Sequence, residues 1–125
     1  IDLDYLKRIN DTYGHQVGDE VLQSFSSRAK EVLREVDVMA RWGGEEFLLL
    51  FPATQLPQAA IGLQRLQAQL AEKPLLVALP ALKVTFSAGL TTYRGIENID
   101  NTIARADTAL YQAKAQGRDR CIQSP

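Results

Sequence analysis

Two strand-like runs, residues 36–41 and 46–51, face each other across Gly43-Gly44, and that commits the middle of the chain to an antiparallel hairpin. Paired glycines signal a tight turn, because such turns need positive φ and glycine reaches it without strain. Pro52 has no amide to donate and ends the second run. The flanks read mostly as helix. Residues 1–3 look like the end of a strand, and a short helix over 4–13 follows, closed by Gly14. Gly18-Asp19 opens a second helix, with Val21, Leu22, Phe25, Ala29, Val32 and Leu33 on one face and Gln23, Ser27, Lys30 and Arg34 on the other. Residues 57–72 form a third helix with an apolar stripe at Ala60, Leu63, Leu66 and Leu70. Residues 83–92 are a strand-pair region in which Val84, Phe86 and Ala88 alternate. Asp100 or Asn101 caps a last helix with a stripe of Ile103, Ala106, Leu110 and Ala113; Gly117 ends it, and 119–123 close the chain as a strand. Strands alternating with helices around one hairpin predict an α/β (α+β) fold, a mixed sheet covered by helices.

A length of 125 residues predicts one domain, residues 1–125, able to bury roughly two-thirds of its unfolded surface without staples. Net charge is -1 and the isoelectric point about 5.8, which argues against a partner as long as a nucleic-acid strand. A nucleotide needs only a few local cations and is not excluded. Cys121 is the only cysteine, so an internal disulfide is impossible and a reducing, cytoplasmic setting is expected, with membrane anchoring of a parent chain left open. The longest apolar runs, 47–51 and 75–79, are strand-sized, far below the ~18 residues of a membrane span. The chain opens on Ile1-Asp2-Leu3-Asp4 without a start methionine and reads as a piece of something longer.

Acidic residues concentrate in three short segments: Asp2 and Asp4 at a strand end, Asp19 at a helix start, Glu45 and Glu46 at the hairpin. A strand end beside a hairpin in one sheet would bring Asp2 near Glu45 or Glu46. Clustered carboxylates repel unless a cation sits among them, and magnesium is typically held by one or two carboxylates plus substrate phosphates. The alternative is a set of solvated turn residues. The 3–7 loop passes from a strand into a helix N-terminus, where unpaired amides favour anions. Lys7, Lys114 and Arg118 are cations for the same phosphates, or else ordinary surface charges.

The motifs become specific when taken together. Arg41-Trp42-Gly43-Gly44-Glu45-Glu46-Phe47 resembles the signature hairpin of the GGDEF family in its GGEEF form. Asp2-Leu3-Asp4-Tyr5-Leu6-Lys7 resembles its D-I-D-x-F-K, with Leu6 for the usual phenylalanine. Asn10-Asp11-Thr12-Tyr13-Gly14-His15 with Gly18-Asp19 is similar to its N-D-x-x-G-H-x-x-G-D, and Ser87-Ala88-Gly89 to its S-I-G strand. Ala106-Asp107, Ala109-Leu110-Tyr111, Ala113-Lys114 and Gly117-Arg118 follow its A-D-x-A-L-Y-x-A-K-x-x-G-R. The resemblance runs over essentially the whole chain. It implies a central, mostly antiparallel sheet flanked by helices, related to polymerase palm and class III nucleotidyl cyclase domains. It also implies a chain that lacks the family's N-terminal helix and most of its first strand.

The implied activity is that of a diguanylate cyclase: two GTP molecules joined into cyclic di-GMP, with pyrophosphate leaving, on Mg2+ or Mn2+. Asp2, the Leu3 carbonyl and Glu45 correspond to metal ligands, and Glu46 to a further ligand or the group that deprotonates the 3′-hydroxyl. Asn10 and Asp19 correspond to guanine readers, Lys7, Lys114 and Arg118 to phosphate contacts, and Gly43 and Gly44 to residues lying close on the nucleotide. A homodimer is implied, because each domain holds one GTP, and a sensory domain preceding this one is expected. Arg34-Glu35-Val36-Asp37 resembles the family's R-x-x-D product-inhibition site, with Arg65 as its second arginine. Tyr5 and Trp42 are expected to pack, His15 to pack or cap, and Ser87 to be a plain strand residue. The rival reading is a GGDEF-like module that has lost its chemistry and binds GTP or cyclic di-GMP as a regulatory input.

Overall fold

The computed structural model describes residues 1–125, the whole chain. Its elements run β1 (Asp2–Leu3), α1 (Leu6–Tyr13), α2 (His15–Val32), β2 (Val38–Arg41), β3 (Phe47–Leu50), α3 (Leu56–Glu72), β4 (Phe86–Thr91), α4 (Ile99–Ala115) and β5 (Arg120–Ser124). The shortest strand joins the rest. Asp2 and Leu3 of β1 pair antiparallel with Ser87 and Phe86 of β4. On its other edge Asp2 bridges Glu46, the Leu3 amide donates to the Glu45 carbonyl at 3.2 Å, and the Phe47 amide donates to the Ile1 carbonyl at 2.8 Å. The β2–β3 hairpin is thereby attached to the β1-β4-β5 sheet. Only β4 and β5 run parallel, and α4 supplies the long crossover such pairing requires. The sheet is mixed, as the order of strands and helices predicts, and mostly antiparallel, as the family resemblance implies.

Alternation along β4 sorts the layers. Phe86, Ala88 and Leu90 join Leu3, Phe47 and the apolar faces of α2 and α3 in one core. Phe25 of α2 is wholly buried there, its ring 5.3 Å from Phe47 and 5.7 Å from Phe86. Burying a ring of this size contributes about 1.5–3 kcal/mol. The opposite face, carrying Ser87 and Gly89, lies under α4, so closely that a Cβ on Gly89 would overlap the Ala106 carbonyl and the Leu110 amide. Asp2 is the cross-strand partner of both Ser87 and Glu46, which puts these two carboxylates on the α4 side. No helix is long and apolar enough to cross a membrane.

Several expectations are corrected. α1 starts at Leu6 because Tyr5 adopts a left-handed conformation, φ 59°. α2 starts at His15, directly after Gly14 at φ 94°, and Gly18 lies inside the helix. There a Cβ would overlap the Asn10 side-chain oxygen, so Gly18 serves close packing of α1 on α2. Asn98, not Asp100 or Asn101, caps α4, its Oδ1 accepting from the Asp100 amide at 2.9 Å. The buried residues of α4 are Thr102, Ala109, Leu110 and Ala113, while Ile103 and Ala106 are half-buried. Residues 83–85 lie outside β4. The hairpin forms, but neither Gly43 nor Gly44 has positive φ. Residues 42–46 make a wider loop in which the Trp42 and Gly43 amides both reach the Glu46 carbonyl, at 2.8 and 3.4 Å. A loop of that width turns without left-handed residues.

Candidate functional site

Two chain segments distant in sequence meet at β1. Asp2 is 3% exposed, and its Oδ2 pairs with the Lys114 ammonium from the last turn of α4. Its Oδ1 is buried with no hydrogen-bond donor. Glu45 lies beside it, half-buried, with its pKa raised above the ordinary 4.5. Burial is the main cause and the Asp2 charge the next, followed by the hydrogen bond the two carboxyls would share if Glu45 took a proton; Lys114 opposes the shift. As carboxylates neither can donate, which is why Oδ1 stands without a partner. Glu46, also half-buried, turns toward the hairpin tip, its Oε2 3.8 Å from where a Gly43 Cβ would stand. In an extended strand a residue's N–H and C=O point the same way, so the Leu3 carbonyl faces the Glu45 segment as its amide does. The acidic side chains do not close into a three-ligand cage. They form a pair, Asp2 with Glu45, with Lys114 as its one side-chain cation in ion-pair contact. A divalent cation fits that deficit, since Mg2+ takes one or two carboxylates and completes its shell with water and phosphate.

Asp4 has a different fate from Asp2. Its carboxylate accepts from the Thr85 and Ser87 hydroxyls, both at 2.7 Å, and from the Asp119 amide at 3.0 Å. It is a buried clamp tying the β1 end to β4 and to the turn before β5, and it has little capacity left for a metal. Ser87 serves that clamp, as a strand residue and not a nucleophile. The clamp brings the 117–119 turn against the start of α1, whose N-cap, Tyr5, makes no side-chain cap bond. Lys7 is exposed on the first turn of α1. Tyr5 and Trp42 do not pack inside, being 48% and 56% exposed. The Tyr5 ring instead carries two guanidiniums, Arg8 at 4.5 Å and Arg118 at 5.0 Å from its centroid. His15 is exposed and makes no hydrogen bond, so it neither packs nor caps. Sequence reasoning missed the Thr85–Asp119 clamp and the Tyr5–Arg118 contact. A hydroxyl within an apolar strand, at Ser87, was the available sign of the first.

A cleft of about 550 Å3 opens between α2 and the hairpin, lined by Asp19, Leu22, Ser26, Lys30, Arg41 and Phe47 among others. Asp19 is exposed at its wall, and Asn10 lies against Gly18, one residue away on the same helix. Arg41 holds the hairpin tip through the Gly44 carbonyl, at 2.6 and 3.1 Å. Asp19 and the hairpin therefore share one cleft, while Lys114 and Arg118 lie at the β1 end of the sheet.

Arg34 and Asp37 form a separate group. Asp37 accepts from the Arg34 amide at 2.8 Å and from its guanidinium at 2.9 Å, and the same guanidinium reaches the Pro52 carbonyl at 3.2 Å and the Thr54 hydroxyl. The Asp37 side chain is 3% exposed and the Arg34 side chain 54%. Arg65 is exposed on α3 and bonds to neither.

Residues 1–120 match the family described as "Diguanylate cyclase, GGDEF domain". Diguanylate cyclase DgcP of Pseudomonas aeruginosa is 45% identical over 120 residues, which are 96% of this chain but only 18% of DgcP. Diguanylate cyclase SiaD of Pseudomonas aeruginosa, solved in complex with its activator SiaC, is similar in structure with a TM-score of 0.91 and 44% identity, over 98% of this chain and 47% of that one. The GGDEF domain of DgcB from Caulobacter crescentus, solved in complex with c-di-GMP, gives a TM-score of 0.88 and 32% identity over 98% and 73%.

Proposed function

The chain belongs to the GGDEF-domain family of diguanylate cyclases, and on that premise we propose that it condenses two GTP molecules into cyclic di-GMP and two pyrophosphates. The observation that carries the reading is the buried, donorless Oδ1 of Asp2 beside the raised-pKa Glu45, at a junction where the Lys114 cation and the hairpin meet. Asp2, the Leu3 carbonyl, Glu45 and Glu46 are the groups that would hold Mg2+ or Mn2+. Bound there, the ion would supply neutralisation of triphosphate charge and a more acidic attacking hydroxyl.

The chain's own residues do the rest. Asp19 accepts from the guanine N1–H and exocyclic amine, and Asn10 serves a second edge of the base. The α1 N-terminus with Lys7, Lys114 and Arg118 binds the phosphates, and Lys114 loses its hold on Asp2 as it turns to them. Glu46 takes the 3′-hydroxyl proton as that oxygen attacks the α-phosphorus of a second GTP and the bond to its β-phosphate breaks. Each domain holds one GTP, so two copies must face each other, and positioning within that pair supplies most of the rate. Arg34, Asp37 and Arg65 form a product site: Arg34 presents a half-exposed guanidinium already oriented by Asp37, suited to paired bonds with guanine or phosphate. The relative solved with c-di-GMP supports a product-binding surface in a domain of this kind.

The test is incubation of the intact protein with GTP and Mg2+. Cyclic di-GMP and pyrophosphate should appear, stop on chelation, and show weaker product inhibition in Arg34→Ala. GTP binding without product would leave the regulatory-module reading in place. Unchanged inhibition in Arg34→Ala would remove the product site.

A further inference from the structure

Three of the chain's four non-glycine residues with positive φ gather at one place: Tyr5 at 59° before α1, and Arg118 and Asp119 at 66° and 48° after α4. A left-handed conformation strains any residue with a Cβ, and a bulky aromatic is an uncommon occupant. Two contacts hold the turns together. The Asp119 amide donates to the Asp4 carboxylate at 3.0 Å, and the Arg118 guanidinium lies over the Tyr5 ring at 5.0 Å. Arg8, in the first turn of α1, adds a second guanidinium at 4.5 Å from the same centroid. Neither arginine makes an ion pair with any acidic residue. The Arg118 and Arg8 side chains therefore have the Tyr5 ring as their recognisable support.

We infer that Tyr5 is a positioning residue of the triphosphate site: its ring holds the Arg118 and Arg8 guanidiniums at the N-terminal mouth of α1, aimed at substrate phosphates. The left-handed backbone at Tyr5 is what turns the ring out of the core toward these side chains. A guanidinium resting on an aromatic face keeps its five N–H donors in the ring plane's periphery, free for phosphate oxygens, and loses less side-chain freedom when the anion arrives. An acidic partner in place of the ring would neutralise the same charge that the phosphates need. This inference rests on the cyclase reading and assigns it a side chain that acts through the arginines it supports.

The experiment measures equilibrium binding of GTP and of guanosine, with Mg2+, to the intact protein and to Tyr5→Phe, Tyr5→Leu and Tyr5→Gly. Phenylalanine and leucine face the same backbone strain as tyrosine, so their difference isolates the ring. Glycine suits φ 59° and keeps the fold available if the leucine variant is unstable. Tyr5→Phe should bind GTP as wild type does. Tyr5→Leu and Tyr5→Gly should lose roughly fivefold in GTP affinity, the scale of one or two exposed cation–π contacts, with guanosine affinity unchanged. Equal GTP affinity across all four proteins, or an equal loss for GTP and guanosine, overturns the positioning role. Wild-type protein that binds no GTP overturns the cyclase reading and this inference with it.

Discussion

At the scale of single residues, the same side-chain chemistry has opposite fates two positions apart. Asp4 is satisfied by three donors and holds the fold, while Asp2 keeps one oxygen unmatched next to Glu45. The raised pKa of Glu45 has a consequence for stability. Protonated Glu45 suits the folded state better than the unfolded one, so its contribution is fully present below the ordinary 4.5 and is lost as pH rises through the higher folded value. Above that, the pair is a net repulsion in metal-free protein. Glu45→Gln should therefore melt about a degree or more higher than wild type at pH 7 in chelator, with the gain shrinking toward pH 4. Thermal unfolding across that range checks it, and a Glu45→Gln protein less stable at pH 7 than at pH 4 relative to wild type would refute it. Cys121 is the contrasting case. Burial pushes its thiol up to about 11, so the lone cysteine is inert and part of the packing.

At the scale of elements, α4 governs the site because it carries Lys114 and leads into the Arg118 turn. Its closeness to β4 depends on Gly89. Gly89→Ala should force α4 off the sheet and cost about 2–3 kcal/mol, read as a lowered denaturant midpoint; a change within about 0.5 kcal/mol would mean the helix is not seated as described. Much of this was legible in the sequence. The α2 and α3 stripes are the buried faces, with Val21, Leu22, Phe25 and Ala29 on one and Ala60, Leu63, Leu66 and Leu70 on the other. The α4 stripe was half legible: Leu110 and Ala113 are buried as read, but Thr102, bonded to Glu97, and Ala109, pressed on Gly89, are buried where Ile103 and Ala106 were expected. The hairpin was legible from Gly43-Gly44, but its geometry was not, since a five-residue loop makes no use of positive φ. Helix starts failed where a tertiary contact set the boundary: Gly18 reads as a helix opener until Asn10 is seen lying on it.

At the scale of the whole molecule, the sheet brings to β1 residues that are 112 positions apart, Asp2 and Lys114, with Glu45 between them in sequence and beside them in space. No periodicity could have shown that pairing, and the motifs, which single out both residues, read Lys114 as a phosphate contact and Asp2 as a metal ligand rather than as partners. The central claim is that this junction is the catalytic centre. Its most direct test is the initial rate of cyclic di-GMP formation, at saturating GTP and Mg2+, by wild type and Asp2→Asn of matched melting temperature. Asparagine keeps the shape and an acceptor for Lys114 but removes the charge. Turnover should fall about 100-fold or more, the usual scale for loss of a charge-stabilising group. Asp2→Asn turnover within about threefold of wild type would contradict the account.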